Sequence, residues 1–466
     1  MHAVKAPPSS TLSEAEDRAF QNLKKSIAVS AYYDSEERST SSECLPGTRE
    51  RQIQSLMDWV EANEKTRPLF VVLGPAGSGK SSLLGTIARI CKEKKYLAAS
   101  FFFSGKDSAR NAAKSLMNTI SYQIAEAIPE LRPYVARSVE DEPTIFSRSL
   151  ESQTQQLILE PLNRLRSGYP GFSFDLRPRV VVIDALDECL ELTDQLRVIT
   201  VLAKVLAHES FPFLCLLSSR YNLSIQKNLT KKLAPRIYGQ VDLGREKNDE
   251  RKDIRTYLQA NVDRIRDGHI FGRCIPQGWP SRSDIGAIVE KSAGQFIYAS
   301  TVIRYIESSD HNPRERLRDI LGISTTRSGE DLFAELDALY RGLMSSVKKL
   351  ASALEILGIA SVRSSSKFWT PDTMELSSIF EGYFHSLDAD VVLAPLAAVL
   401  KCERGKITFH HLSFAEFLTN SARSDEYFVH PTKWQKWIVS RLVPDFYNRE
   451  CMPITLPLND LLIILC

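Results

Sequence analysis

The sequence predicts an α/β fold in which a parallel β-sheet carries helices on both faces. Strand-like runs rich in β-branched residues alternate with amphipathic helical patterns between residues 69 and 218, and this alternation is typical of a parallel sheet. The runs are almost entirely apolar, as strands buried on both faces are. After residue 243 the strand-like runs nearly vanish. We therefore expect an α/β domain followed by helical domains.

The individual elements follow from the same periodicities. Strands are predicted at residues 69–73, 97–103, 179–184 and 213–218. Helices are predicted at residues 80–94, 109–127, 150–165 and 196–207. Further along the chain, helical patterns cover residues 249–321 and 332–400, and a short strand at 406–409 precedes a helix at 412–418.

Changes in composition divide the chain into five segments. Residues 1–43 mix Ser, Glu and Lys around one short helix near Leu12–Lys25, so we expect a flexible N-terminal segment. The α/β domain is expected at residues 44–245 and a helical domain at 246–323. A break rich in Ser, Thr, Arg and Gly precedes a third domain at 329–428. Residues 429–466 look like the start of a further helical segment that is cut short.

Composition excludes several classes of protein. The 59 Lys and Arg residues almost balance the 57 Asp and Glu residues, so no overall field favours nucleic acid or anionic lipid. No window approaches the roughly 18 apolar residues that a membrane span needs. The eight cysteines are scattered, without the spacing of zinc ligands or of a disulfide scaffold. We expect a cytoplasmic protein that binds no nucleic acid and keeps its cysteines reduced.

A glycine-rich turn lies between the first predicted strand and the first helix of the sheet. It consists of Gly74, Pro75, Ala76, Gly77, Ser78, Gly79, Lys80 and Ser81, and Ser82 follows. At this spacing, backbone N–H groups curl around phosphates and the helix N-terminus adds positive potential. We expect Lys80 to reach the outer phosphates of ATP and Ser81 to offer its hydroxyl to Mg²⁺. The alternative is a glycine-rich turn whose lysine is solvated.

Acidic residues follow the predicted strand at 179–184. Asp184 ends this strand, where ligands of open α/β folds bind, so we expect it to hold Mg²⁺. Ala185 is small enough to allow close approach to the phosphates. Asp187 or Glu188 is expected to polarise an attacking water, and Glu188 is our choice. The alternative is that these acids only cap the next helix.

The last predicted strand of the sheet ends in hydroxyls and an arginine, Ser218, Ser219 and Arg220. From this position a guanidinium can sense the γ-phosphate. An arginine after a strand is usually solvated surface, so the functional interpretation of Arg220 depends on the two preceding motifs.

The order of these three motifs resembles the NACHT family of STAND signal-transduction NTPases, in particular its fungal, nephrocystin-type members. Further likeness lies at residues 44–50 leading to Trp59, at 292–299 and at 410–418. The resemblance covers about residues 44–428. It implies an AAA+-like P-loop NTPase sheet followed by a helical domain and a winged-helix domain at 329–428.

The resemblance also implies roles for particular residues. In that family an adenine nucleotide lies between the P-loop domain and the helical domain, and the winged-helix domain closes the ADP state. By position, Lys80 and Ser81 bind phosphate and metal, Asp184 serves Mg²⁺ and Arg220 is the sensor. His411 corresponds to the histidine that contacts the ADP β-phosphate. From the sequence alone, His411 is a core or surface histidine.

The function that the resemblance implies is an ATP/ADP-dependent switch in signalling or fungal innate immunity, in which slow hydrolysis resets the switch and the ATP state self-associates. Two alternatives stay open. One is an ATP-hydrolysing motor or phosphotransferase that uses the same loop. The other is a scaffold that keeps its nucleotide for stability without turnover.

Overall fold

A computed structural model describes most of the chain, in stretches separated by short gaps. The described residues are 12–38, 43–62, 67–105, 107–169, 180–232, 238–244, 247–309, 311–323, 333–365, 388–403, 406–434 and 436. Most of the predicted segment 429–466 lies outside them. The chain divides into two compact units, one with residues 1–75 and 79–245 and the other with residues 76–78 and 246–466.

The first unit is built on a five-stranded sheet in which every neighbouring pair of strands is parallel. The strand order is β2-β3-β4-β1-β5, so β4 lies between β1 and β3. This sheet confirms the predicted α/β fold class. The strands are β1 (Leu69–Leu73), β2 (Leu97–Phe102), β3 (Val180–Asp184), β4 (Leu214–Ser219) and β5 (Tyr238–Asp242).

Helices cover both faces of this sheet. Successive residues of a strand point to opposite sides, so strands that are apolar throughout give the sheet two apolar faces. Val71 of β1 packs in the larger apolar cluster of this unit and Val72 in the cluster on the other side. Cys215 is buried in the larger cluster, as expected for a thiol that packs as a small hydrophobe. The helices are α1 (Glu14–Lys25), α2 (Glu50–Glu61), α3 (Lys80–Glu93), α4 (Leu116–Ala127), α5 (Arg132–Asp141), α6 (Leu150–Thr154), α7 (Glu160–Gly168), α8 (Leu192–Leu206) and α9 (Leu223–Lys232).

Some elements differ from the prediction. The helix expected from residue 109 begins only at Leu116, after turns and a short 3-10 helix. A π-helical turn, Gln155–Leu159, joins α6 and α7. Helices α5 and α9 and strand β5 were not predicted. β5 pairs with β1 at the edge of the sheet, and its residues are only partly buried, so it lacks the apolar run of the other strands.

Part of the N-terminal segment is folded, because residues 12–38, which are described, include a helix that packs in the first unit. The predicted short helix is present as α1, and Ser13 and Glu16 form a capping box at its N-terminus. Phe20 and Leu23 of α1 are buried in the larger apolar cluster. The Ser/Glu/Lys composition concealed this, because an amphipathic helix buries only one stripe of residues.

The second unit is mainly helical, as predicted. It contains α10 (Lys247–Gly268), α11 (Arg282–Lys291), α12 (Phe296–Ile306), α13 (Pro313–Gly322), α14 (Ala334–Ser345), α15 (Leu350–Ser365) and the short helices Ala389–Val392, Leu412–Leu418 and Ser421–Ser424. An antiparallel hairpin joins β6 (Leu400–Glu403) to β7 (Lys406–Phe409). Apolar residues from α10 to the helix Leu412–Leu418 share one buried cluster. In the described part of the chain, no helix is long and apolar enough to cross a membrane.

Candidate nucleotide-binding site

The glycine-rich loop lies between β1 and α3, as the sequence predicts. Helix α3 begins at Lys80, and its N-cap, Gly79, has a φ of 86°. Gly77 also has a positive φ, 72°. Glycine adopts these left-handed conformations at little cost, whereas a side chain would strain them. The loop conformation therefore depends on both glycines.

Backbone N–H groups of this loop are available to a ligand. Among the described residues, no group accepts a hydrogen bond from the N–H of Gly77, Gly79 or Lys80. These groups lie at the start of α3, where the helix dipole adds positive potential. Unsatisfied N–H groups at a helix N-terminus form a site for phosphate. The loop therefore fits the phosphates of a nucleotide.

Lys80 turns back over this loop. Its Nζ donates hydrogen bonds to the carbonyl oxygens of Gly74 and Pro75, both at 2.9 Å. Burial lowers the pKa of Lys80, and the carboxylate of Asp187 partly offsets this effect. The buried ammonium is held by two neutral carbonyls at the position where the loop would present phosphate. Phosphate oxygens would stabilise its charge more strongly than carbonyl oxygens do.

Asp184 ends β3 and is buried. The Ser218 hydroxyl, at the end of the neighbouring β4, donates to Asp184 Oδ1 at 2.5 Å. The same hydroxyl accepts from the Ala185 N–H at 2.9 Å. Ala185 has a φ of 55°, which turns the chain away from the sheet directly after Asp184. Ser218 therefore orients Asp184, a role that sequence reasoning missed because the two residues come from different strands.

Asp187 and Arg220 form an ion pair at the same edge. Arg220 Nε lies 3.0 Å from Asp187 Oδ2, and the Arg220 backbone N–H donates to Asp187 Oδ1 at 2.8 Å. Glu188 makes a different contact, since its Oε2 accepts from the Gly105 N–H at 3.2 Å. The adjacent acids thus have separate surroundings. Asp187 holds the predicted sensor arginine, whereas Glu188 faces the loop that follows β2.

Three serines complete this edge of the sheet. Ser81 and Ser82 lie in the first turn of α3, and both are half-buried. Ser219 is fully buried, and its Oγ has no hydrogen-bond partner among the described residues. Ser219 is the register partner of Leu73, the residue before the loop. A buried hydroxyl without a partner is rare, so we regard Ser219 as a further candidate site residue.

The residues also fit a magnesium ion carried by a nucleotide. No group of three or more His, Cys, Asp or Glu side chains that could hold a metal ion occurs among the described residues. Mg²⁺ bound with nucleotide needs only one or two protein oxygens, because phosphates and water supply the others. Asp184 and Ser81 offer a carboxylate and a hydroxyl of the required type.

His411 has a structural role in the second unit. It is the N-cap of the helix Leu412–Leu418, and its Nδ1 accepts from the Ser413 N–H at 3.0 Å. Nδ1 also lies 2.8 Å from Ser413 Oγ, which is 2.8 Å from the buried Tyr340 hydroxyl. These contacts occupy Nδ1. The predicted contact of His411 with ADP stays a prediction.

Comparison with known proteins supports the class of the first unit. Residues 47–220 match the family model described as Nephrocystin 3, N-terminal. No curated protein matches the chain. Together with the parallel sheet and the loop at Gly74–Ser81, this match supports a P-loop NTPase fold for the first unit.

Two solved structures are similar over long stretches. A Walker-type ATPase of Pyrococcus abyssi is 14% identical, with 79% of this chain and 94% of that chain covered and a TM-score of 0.37. A structure of Drosophila ORC bound to AT-rich DNA and Cdc6 is 13% identical, with 95% of this chain and 74% of that chain covered and a TM-score of 0.28. Both TM-scores are below 0.5, so we draw no conclusion from them.

Proposed function

We propose that the protein is an ATP/ADP-dependent molecular switch of the NACHT-type STAND class, with slow hydrolysis that resets it. The observation that carries this proposal is the meeting of three strand ends. Because β1, β4 and β3 are neighbours, the loop with Lys80, the Arg220–Asp187 pair and Asp184 lie at one edge of the sheet. A phosphate loop, a metal-binding acid and a paired arginine are the groups that triphosphate recognition needs.

Each group then has a role with the nucleotide bound. The loop N–H groups and Lys80 bind the phosphates, while Asp184 and Ser81 hold Mg²⁺. The ion neutralises phosphate charge when it is bound. Glu188 accepts a proton from the attacking water, because Asp187 already holds Arg220 through both carboxylate oxygens.

A switch is favoured over a motor because Arg220 has two alternative partners, Asp187 and a γ-phosphate. Arg220 can stay on Asp187 or contact a γ-phosphate, and only ATP offers the second choice. The match at residues 47–220 and the resemblance to NACHT proteins support the same interpretation. As parts of this proposal, residues 329–428 act as a winged-helix domain and His411 contacts the ADP β-phosphate.

The setting that we propose for this switch is the cytoplasm, with self-association in the ATP state. The described cysteines are free thiols, which suits a reducing compartment. Burial raises the pKa of Cys91, Cys189 and Cys215 to about 12, so these thiols are unreactive.

Light scattering of the purified protein tests the switch. Particle mass is measured with Mg-ADP and with Mg²⁺ and a non-hydrolysable ATP analogue, alongside the rate of phosphate release. We expect a small species with ADP, a larger one with the analogue, and slow phosphate release. Rapid steady release without a change in mass would favour a motor or phosphotransferase. ADP that cannot be exchanged would favour a nucleotide-stabilised scaffold.

A further inference from the structure

The N-terminal segment continues past α1 to the edge of the sheet where β2 ends. The Tyr33 N–H donates to Ser100 Oγ of β2 at 3.1 Å. The Ser30 hydroxyl donates to Asp107 Oδ2 at 2.5 Å, and Asp107 also pairs with Arg110 at 2.8 Å. These contacts attach residues 30–33 to β2 and to the loop that follows it. They bring the next residues toward the candidate nucleotide site.

Arg38 lies at this edge. Its guanidinium carbon is 3.6 Å from the centroid of the Phe102 ring. Phe102 ends β2, and its register partner in β3 is Asp184. The carboxylates of Asp184 and Glu188 stabilise the positive charge of Arg38, whereas the charge of Arg110 opposes it. Phe102 and Asp184 are register partners, and Glu188 accepts from the loop that follows β2. The cation on Phe102 therefore lies at the same strand ends as the acid proposed for the metal and the acid proposed for the attacking water.

The surroundings of Arg38 leave part of its guanidinium unsatisfied. Burial is the largest influence on the group and lowers its pKa to about 10, so it still carries a charge at neutral pH. Its Nε is buried and has no hydrogen-bond partner among the described residues. A buried donor without an acceptor is costly, and a ligand oxygen would remove this cost. The contact with the Phe102 ring holds the guanidinium in place without using its N–H groups.

We propose that Arg38 is a second phosphate-sensing arginine, supplied by the N-terminal segment, that contacts the γ-phosphate of bound ATP. This inference rests on the proposed function, because it requires a nucleotide at the loop Gly74–Ser81. A planar guanidinium binds phosphate oxygens through paired N–H donors. The position beside Asp184 and Glu188 selects the outer phosphate, which the metal and the attacking water must both approach.

This assignment links the N-terminal segment to the state of the nucleotide. ADP has no γ-phosphate, so Arg38 would keep its present contacts when ADP binds. ATP would supply an acceptor and hold residues 28–38 more firmly at the edge of the sheet. An arginine that only packs on Phe102 and neutralises the two acids would affect both nucleotides equally.

The test compares ATP and ADP affinities in full-length Arg38 variants. Arg38→Met keeps an unbranched apolar side chain and removes the charge, whereas Arg38→Lys keeps the charge and removes the paired N–H donors of the guanidinium. Arg18→Met is the matched control, because Arg18 lies in α1 and its exposed side chain donates to the Glu14 carbonyl of the same helix. Calorimetric titrations use Mg²⁺ with ADP and with a non-hydrolysable ATP analogue. Hydrogen exchange of residues 28–38 is measured in the same two states.

We expect Arg38→Met to bind the ATP analogue roughly tenfold to a hundredfold more weakly, as loss of a charge-assisted hydrogen bond implies, with little change for ADP. The affinity of Arg38→Lys for the ATP analogue should lie between those of wild type and Arg38→Met, and the affinity of Arg18→Met should match that of wild type. The analogue should protect residues 28–38 from exchange more than ADP does, except in Arg38→Met.

Equal changes in ATP and ADP affinity, or none, would overturn the assignment of Arg38. If Arg38→Met does not fold, Arg38→Lys decides alone, and an unchanged ratio of the two affinities overturns the assignment. Failure of wild type to bind either nucleotide would instead refute the proposed function. The two failures are therefore distinguishable.

Discussion

The ion pair between Asp187 and Arg220 makes a specific prediction about nucleotide preference. Asp187→Asn removes one negative charge but retains a side-chain oxygen that can accept from the Arg220 N–H. The side chains are 14% and 24% exposed, so the pair is partly shielded from water. We expect the attraction that is lost to be about 1 to 2 kcal/mol, between the values for an exposed ion pair and a charge-assisted hydrogen bond.

In Asp187→Asn, Arg220 no longer has to give up this attraction to Asp187 when it moves to the γ-phosphate. The ratio of ATP affinity to ADP affinity should therefore rise about five- to thirtyfold in Asp187→Asn. The ratio is the quantity to measure, because removing a negative charge near the phosphates strengthens binding of both nucleotides. Calorimetric titration with ADP and a non-hydrolysable ATP analogue provides it.

Asp194→Asn is the matched control for this change. Asp194 lies in α8 and contacts Arg197 at 3.8 Å, in a pair with an exposed arginine. The same substitution there should leave the ratio of affinities unchanged. If folded Asp187→Asn shows an unchanged ratio, or a ratio shifted toward ADP, then Arg220 does not sense the γ-phosphate from its position on Asp187.

Three further predictions concern hydrolysis, protonation and the second unit. Glu188→Gln should keep Mg-ATP bound and slow phosphate release, because an amide cannot accept the proton of water, whereas Asp184→Asn should weaken Mg²⁺ binding. If Asp187→Asn stops turnover and Glu188→Gln does not, our choice between the two acids is reversed. Burial lowers the pKa of Lys80, so the folded protein binds the Lys80 proton less tightly than the unfolded chain does. The free energy of unfolding should therefore increase as the pH rises from the lowered pKa toward 10.5. Bound phosphates should raise the pKa of Lys80 again, so ATP binding in that pH range should be accompanied by proton uptake. The calorimetric enthalpy of binding should then depend on the ionisation enthalpy of the buffer. His411→Asn should keep the helix cap yet reduce the rise in melting temperature that ADP causes, and an undiminished rise would leave His411 a purely structural residue.

Local patterns predicted the elements that carry the loop. The strand Leu69–Leu73 was predicted with the bounds that the structure has, and the start of α3 at Lys80 follows from the glycine before it. Both depend on residues that are neighbours in sequence, where periodicity and turn chemistry are informative. The motif residues could likewise be assigned to the carboxyl ends of strands.

Contacts between distant parts of the chain could not be predicted in this way. Asp187 and Arg220 are separated by a helix and a strand, and nothing in either motif indicates that they pair. The bond from Ser218 to Asp184 depends on the order of the strands, which the sequence leaves open. Arg38 lies in a segment whose polar composition suggested flexibility, and its position on Phe102 relates it to the site through a contact between distant parts of the sequence.

Calorimetric titration of Mg-ATP into the wild-type protein and the Lys80→Ala variant tests the central claim most directly. Within the described residues, Lys80 Nζ donates hydrogen bonds only to loop carbonyls, so its loss should leave the fold intact. Lys92→Ala, at an exposed site on the same helix, is the control. We predict binding to wild type and to Lys92→Ala, and no measurable binding to a folded Lys80→Ala protein. Unchanged affinity in folded Lys80→Ala would contradict nucleotide binding at this loop.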